Sequence, residues 1–110
     1  MEIDQNNQTM ILKDVKGDVT SFLMKVTHEY KTFKNHNLIM DLLDHNDLTM
    51  DDIKSFLYLS KKHKKVKKSF VIVAANIDYN DTPKKLTVVP TLVEANDIID
   101  MEEIERDLGI

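Results

Sequence analysis

Ser69-Phe70-Val71-Ile72-Val73-Ala74-Ala75 is the stretch that decides the fold. It is apolar without interruption after Ser69 and β-branched at its centre. Such a run reads as a central strand covered on both faces, as strands of a parallel sheet are. It falls far short of the roughly 18 apolar residues that span a bilayer.

Upstream of this strand, Thr49-Met50-Asp51-Asp52 has the T-x-x-D form of a capping box, so a helix is expected from Met50. Ile53, Phe56, Leu57 and Ser60 supply its inner face. Its end is basic: residues 61–68 read KKHKKVKK, which suits the negative pole of a helix dipole. Before that helix, residues 37–43 (NLIMDLL) read as a second buried strand and Asp44-His45-Asn46-Asp47 as a polar loop. Earlier still, Val19, Phe22, Leu23, Val26, Tyr30 and Phe33 recur at steps of three and four, which puts them on one helix face. Asp18 is its expected N-cap, and Asn35-His36-Asn37 its end. The first segment reads as a hairpin, with strands at 2–5 and 8–14 around Asn6-Asn7, because asparagine tolerates the positive φ of a tight turn. Lys16-Gly17-Asp18 breaks that pattern.

Downstream, residues 76–85 form a loop containing Asn80-Asp81-Thr82-Pro83. Residues 86–89 make a last short strand, stopped by Pro90. Thr91-Leu92-Val93-Glu94 is a second capping box. Its helix turns Leu92, Ala95, Ile98 and Ile99 inward and runs on, or restarts near Met101, with Ile104 and Leu108 continuing an apolar seam to Gly109. The order β-β-α-β-α-β-β-α defines one α/β domain over residues 1–110, a mixed, mainly parallel sheet with about three helices.

The 110 residues are enough for one core. Hydrophobic residues make up 42% and charged residues 31%, a composition neither disordered nor membrane-like. Met1-Glu2-Ile3-Asp4-Gln5-Asn6-Asn7 lacks the basic and apolar regions of a signal peptide. With no cysteine, thiol nucleophiles, disulfides and Cys-type zinc sites are excluded, and the expected compartment is the cytoplasm. The net charge of −4 hides a division, since residues 94–107 carry seven acids against Arg106 alone. Opposed charge blocks of this kind support partner recognition or self-association. The six methionines read as gap fillers in or near the core.

Catalytic motifs are missing in specific ways. Gly17 and Gly109 are the only glycines, so neither a G-x-G-x-x-G nor a P-loop is present. There is no G-x-S-x-G elbow. Ser21, Ser55 and Ser60 fall in expected helices and Ser69 at a strand start. His28, His36, His45 and His63 form no H-E-x-x-H. His28 falls on the polar side of its helix, and His63, among lysines, is read as part of a solvated face with its basicity depressed by like charge. No catalytic, cofactor-binding or metal-ligating residue is assigned, and no cofactor is expected.

One cluster has chemical potential. Asp41, Asp44, His45 and Asp47, followed by Asp51 and Asp52, bracket the C-terminal end of an expected parallel strand, where ligands gather in open α/β sheets. Oxygen ligands there would suit Mg²⁺ or Ca²⁺. Helix caps and loops favour aspartate for their own reasons. The alternative function is therefore a small metal-dependent hydrolase or nuclease using Asp41, Asp44, His45 and Asp47. A further alternative is RNA binding through residues 61–68, although exposed aromatics and arginines are scarce and nucleic acid is not an expected partner.

Taken in order, these features resemble a STAS domain, the fold of the anti-anti-sigma factors. The resemblance rests on the N-terminal hairpin, the strand at 37–43, the helix with Phe56-Leu57-Tyr58-Leu59 and its basic end, and the strand Phe70-Val71-Ile72-Val73. The ending Val89-Pro90-Thr91-Leu92-Val93-Glu94-Ala95 is similar to the closing P-[ST]-L-x-E-A of such domains. The family's regulatory D-S-[ST]-G corresponds in place to Thr49-Met50-Asp51-Asp52. The phosphoacceptor serine and the glycine are absent, leaving Thr49 as the only hydroxyl in that place. The resemblance implies a non-enzymatic regulatory module that docks a partner protein through this helix and the loop before it. Asp44, His45, Asp47, Thr49, Asp51, Asp52, Lys54, Tyr58 and Lys61 are the implied surface. Residues 88–109 also resemble short bacterial proteins sometimes labelled ribonuclease Z, but the H-x-H-x-D-H of that enzyme is absent. A homodimer is a further expectation, the acidic C-terminal helix of one copy meeting the basic turn of another; no membrane partner is expected.

Overall fold

The computed structural model describes residues 1–14 and 17–109. It contains a five-stranded sheet in the order β1-β2-β3-β4-β5, formed by Glu2–Asn6, Thr9–Lys13, Asn37–Asp41, Phe70–Val73 and Thr87–Val89. The β1–β2 pair is antiparallel and the other three pairings are parallel. The class is mixed α/β, as expected, with the run around Val71 buried in every residue of its strand.

The hairpin turn sits one residue later than expected. Asn6 pairs with Thr9, so Asn7 and Gln8 form the loop and Asn7 takes the positive φ of 57°. Either asparagine suits the turn locally. Tertiary pairing decides, because the Gln8 carbonyl accepts the Asn37 N–H at 2.8 Å and ties the turn to β3. Gly17 has φ +95° and Asp18 follows it; Lys16 of the expected break lies outside the described residues.

The two expected long helices before β4 are each broken in two. Helices α1 (Val19–His28) and α2 (Tyr30–Phe33) meet at Glu29. Asp18 caps α1, its carboxylate accepting the Ser21 N–H at 2.7 Å. That hydrogen bond holds the Asp18 carboxyl below its usual range. Helices α3 (Met50–Lys54) and α4 (Leu57–Lys65) are separated by Ser55 and Phe56. The Ser55 hydroxyl donates to the Asp52 carbonyl at 2.6 Å, competing with the helical ladder at that point. The capping box forms fully, with Asp52 N donating to Thr49 Oγ1 and Thr49 N to the Asp52 carboxylate.

Helix α5 (Leu92–Asp107) is continuous and does not restart at Met101. The Thr91 hydroxyl accepts the Glu94 N–H at 3.1 Å. The loop before β5 contains a 3₁₀ turn at Tyr79–Asp81, and the Tyr79 hydroxyl pins it by donating to the Ala74 carbonyl at 2.7 Å.

Strand alternation sends side chains to two unequal cores. Leu12, Leu38, Met40, Phe70 and Ile72 face a large core covered by α1–α4, where Phe56 lies 6.4 Å from both Phe22 and Phe70, ring centre to ring centre. Ile39, Val71, Val73 and Val89 face a smaller core under Ala95 and Ile99 of α5. Helices α1–α4 and helix α5 therefore occupy opposite faces of the sheet. Among the described residues no helix is long and apolar enough to cross a membrane.

The expected apolar seam beyond Ile99 does not exist. Ile104 and Leu108 are exposed. The inward positions are taken instead by Glu102, Glu103 and Arg106, which bond the buried Asn37 and Ser69 at the N-terminal ends of β3 and β4. Asn37 Nδ2 donates to Glu103, and the Ser69 hydroxyl donates to Glu102 at 2.5 Å. Arg106 donates to Asn37 Oδ1 at 3.3 Å and to Ser69 Oγ at 3.2 Å. Two polar side chains at strand ends thus draw the last turns of α5 onto the sheet by charged partners rather than apolar ones. Of the methionines, Met40 is buried, whereas Met24 and Met101 are exposed and fill no gap.

Candidate docking surface

The residues nominated from sequence do not converge. Asp41 is buried, and its carboxylate turns back to accept the Leu43 N–H at 3.0 Å, which ends the strand two residues earlier than expected. Asp44 pairs with Lys13 at 3.4 Å. His45 Nε2 lies 3.0 Å from the carboxylate of the buried Asp14. Thr49 and Asp52 are committed to each other in the capping box. Asp47 and Asp51 are exposed. Each member of the acidic cluster thus has its own partner or points to solvent. Among the described residues no group of three or more His, Asp or Glu side chains is placed to share a cation.

The other half of the nominated surface does form a shape. Tyr58 and Lys61 of α4 line a concavity of about 590 Å³ together with Leu57, Lys64, Lys65 and Lys85. Lys54 is exposed outside that lining. Residues 57, 58, 61, 64 and 65 follow the three- and four-residue spacing of one helix face. Leu57, expected inward, is only half-buried and lines this concavity. Lys85 comes from the loop before β5, held there because the Lys64 ammonium donates to its carbonyl at 2.6 Å. Tyr58 is 76% exposed. An aromatic ring and a leucine among four ammonium groups, with no carboxylate among the described residues of the lining, is a surface suited to a partner both apolar and anionic.

The basic run is divided by helix geometry. Lys61, Lys64 and Lys65 enter the concavity, and Lys62 lies over the Tyr30 ring at 4.7 Å. His63 turns the other way. It is fully buried, not solvated as its lysine neighbours suggest. It lies three, four and seven residues after Ser60, Leu59 and Phe56, all buried, and this spacing is the signal that its neighbours obscure. Burial is the main reason its pKa is lowered; the nearby Lys68 charge adds to the effect.

No family model matches the chain, and no curated protein is similar enough to it to count as a match.

Proposed function

We propose that this chain is a non-enzymatic protein-interaction or regulatory module of STAS-like type, and that it docks a partner segment in which acidic residues surround an apolar anchor. The observation that carries the reading is the concavity of α4, lined by Tyr58 and Leu57 together with Lys61, Lys64, Lys65 and Lys85. Buried aromatic anchors ringed by complementary charge are what protein interfaces use for affinity and steering. The mainly parallel sheet and the concavity on the helix that the resemblance singles out support it. The acidic loop from Asp44 to Asp52 supplies no residue to this lining and, among the described residues, forms no cation-binding group of its own. Asp44, Asp41 and Asp52 are engaged with Lys13, Leu43 N and Thr49, and Asp47 and Asp51 point to solvent, which favours docking over the hydrolase alternative. In this reading Thr49 acts as a helix cap, not as a phosphoacceptor.

Affinity capture from the source cell with the intact chain and with Tyr58→Ala/Lys61→Glu, run side by side, tests the reading. A protein retained by the intact chain and lost from the equally stable variant is expected. Identical retained sets would overturn it.

A further inference from the structure

The C-terminal helix carries the chemistry that the concavity requires, and it presents that chemistry to solvent. The inward side of α5 is used by Ala95, Ile99, Glu102, Glu103 and Arg106. On the outward side Met101, Ile104 and Leu108 follow one another at steps of three and four, 63%, 59% and 68% exposed. Val93 lies on the same side. Flanking this stripe are Glu94, Asp97, Asp100, Glu105 and Asp107, all exposed. The only base of the helix, Arg106, reaches inward to Asn37 and Ser69. Among the helix's own side chains the outward face is therefore an apolar stripe bordered by acids, opposite in sign to the lysines of the concavity. On the same chain Lys64, Lys67 and Lys68 share a groove with Glu102 and Glu105 at the edge of this face.

A helix turning large apolar side chains to water across two full turns is an unpartnered face. It and the concavity sit on opposite layers of the sheet, so one chain does not close them on each other. We propose that the α4 concavity receives the C-terminal helix of a second copy of this chain, Met101 and Ile104 packing on Leu57 and Tyr58 within the ring of lysines. This deepens the docking reading and rests on it. The contact joins two different patches, so it is heterologous, and each dimer keeps one free concavity and one free helix; copies then add head to tail unless the rotation closes a ring. Charge steers the approach and is screened over about 10 Å at 0.1 M salt, so assembly weakens as salt rises.

Sedimentation velocity of the full chain, over a concentration range on the order of 1–200 µM, tests this. Concentration-dependent dimers and larger species are expected at low salt, with association roughly tenfold weaker near 0.5 M salt. Ile104→Lys alone, and Lys61→Glu/Lys65→Glu alone, should each leave a folded monomer, since all three positions are exposed. Mixing the two variants should restore a complex that stops at one copy of each, because each supplies the face the other lacks. A wild-type chain that is monomeric throughout overturns the proposal, as does assembly that neither variant disturbs, or a mixture that stays monomeric. A monomeric chain that still captures a foreign protein through Tyr58 and Lys61 overturns self-docking while leaving the docking surface standing.

Discussion

The Tyr30 hydroxyl lies 2.8 Å from Nδ1 of His63 in the interior, and the two rings meet edge to face. His63 Nε2 is 2.7 Å from the His36 carbonyl, which only accepts. Nε2 therefore carries the proton and donates to His36, and Nδ1 accepts from the tyrosine. The neutral imidazole is satisfied at both nitrogens. Burial pushes the Tyr30 phenol pKa up, so it remains a donor at neutral pH. One short network ties α2, α4 and the start of β3.

Protonating His63 puts a charge in the core and removes the acceptor that Tyr30 uses. Its pKa is lowered in the folded state, against about 6.5 unfolded. The stability it contributes is complete above about pH 6.5 and is lost as pH falls below that value through the lowered folded pKa. Urea midpoints measured from about pH 8 down to about pH 5 should fall, and fall less steeply in His63→Gln, although that variant is less stable throughout. Equal slopes in both chains would refute this account of the network.

Asn37→Ala should destabilise the protein by about 1–3 kcal/mol, because it leaves the buried Ser69 N–H, 2.9 Å from Asn37 Oδ1, and the Arg106 contact without their acceptor. Chemical denaturation at neutral pH measures it. A change smaller than about 0.5 kcal/mol, the size of an ordinary surface substitution, would show that the strand-end network contributes little.

Thr49→Ala removes the side-chain half of the capping box, leaving the Asp52 N–H without its acceptor. A loss of about 1 kcal/mol in equilibrium unfolding is expected. Thr49→Ser, which keeps the hydroxyl, should retain most of the stability.

Lys67 follows the end of α4 with φ of 64°, the left-handed conformation that glycine adopts without steric cost at this position. Lys67→Gly should therefore raise stability by up to about 1 kcal/mol, the relief of left-handed strain offset in part by the greater entropy of the unfolded chain. Thermal unfolding of the two chains side by side checks the sign.

Tyr58→Ala and Lys61→Glu remove exposed side chains of the concavity. Each should move unfolding free energy by no more than about 0.5 kcal/mol. A larger loss would mean that Tyr58 supports the fold rather than a partner.

By itself the sequence determined the features that depend on neighbours along the chain. The strand around Val71, the caps at Asp18, Thr49 and Thr91, and the apolar face from Val19 to Phe33 follow from local periodicity and side-chain-to-backbone geometry, so they were legible. The tertiary structure decided the rest. The hairpin turn settled on Asn7 because β3 claimed the Gln8 carbonyl. The acidic cluster dispersed because Lys13, Asp14 and a backbone amide each engaged one of its members. The C-terminal seam turned outward because Asn37 and Ser69, more than 30 residues away, claimed the inward side for Glu102, Glu103 and Arg106. Lys85 joined the lysines of α4 in the same manner, through a single bond to Lys64. Burial and ion pairing depend on which elements meet, and a chain read locally holds no distance between them.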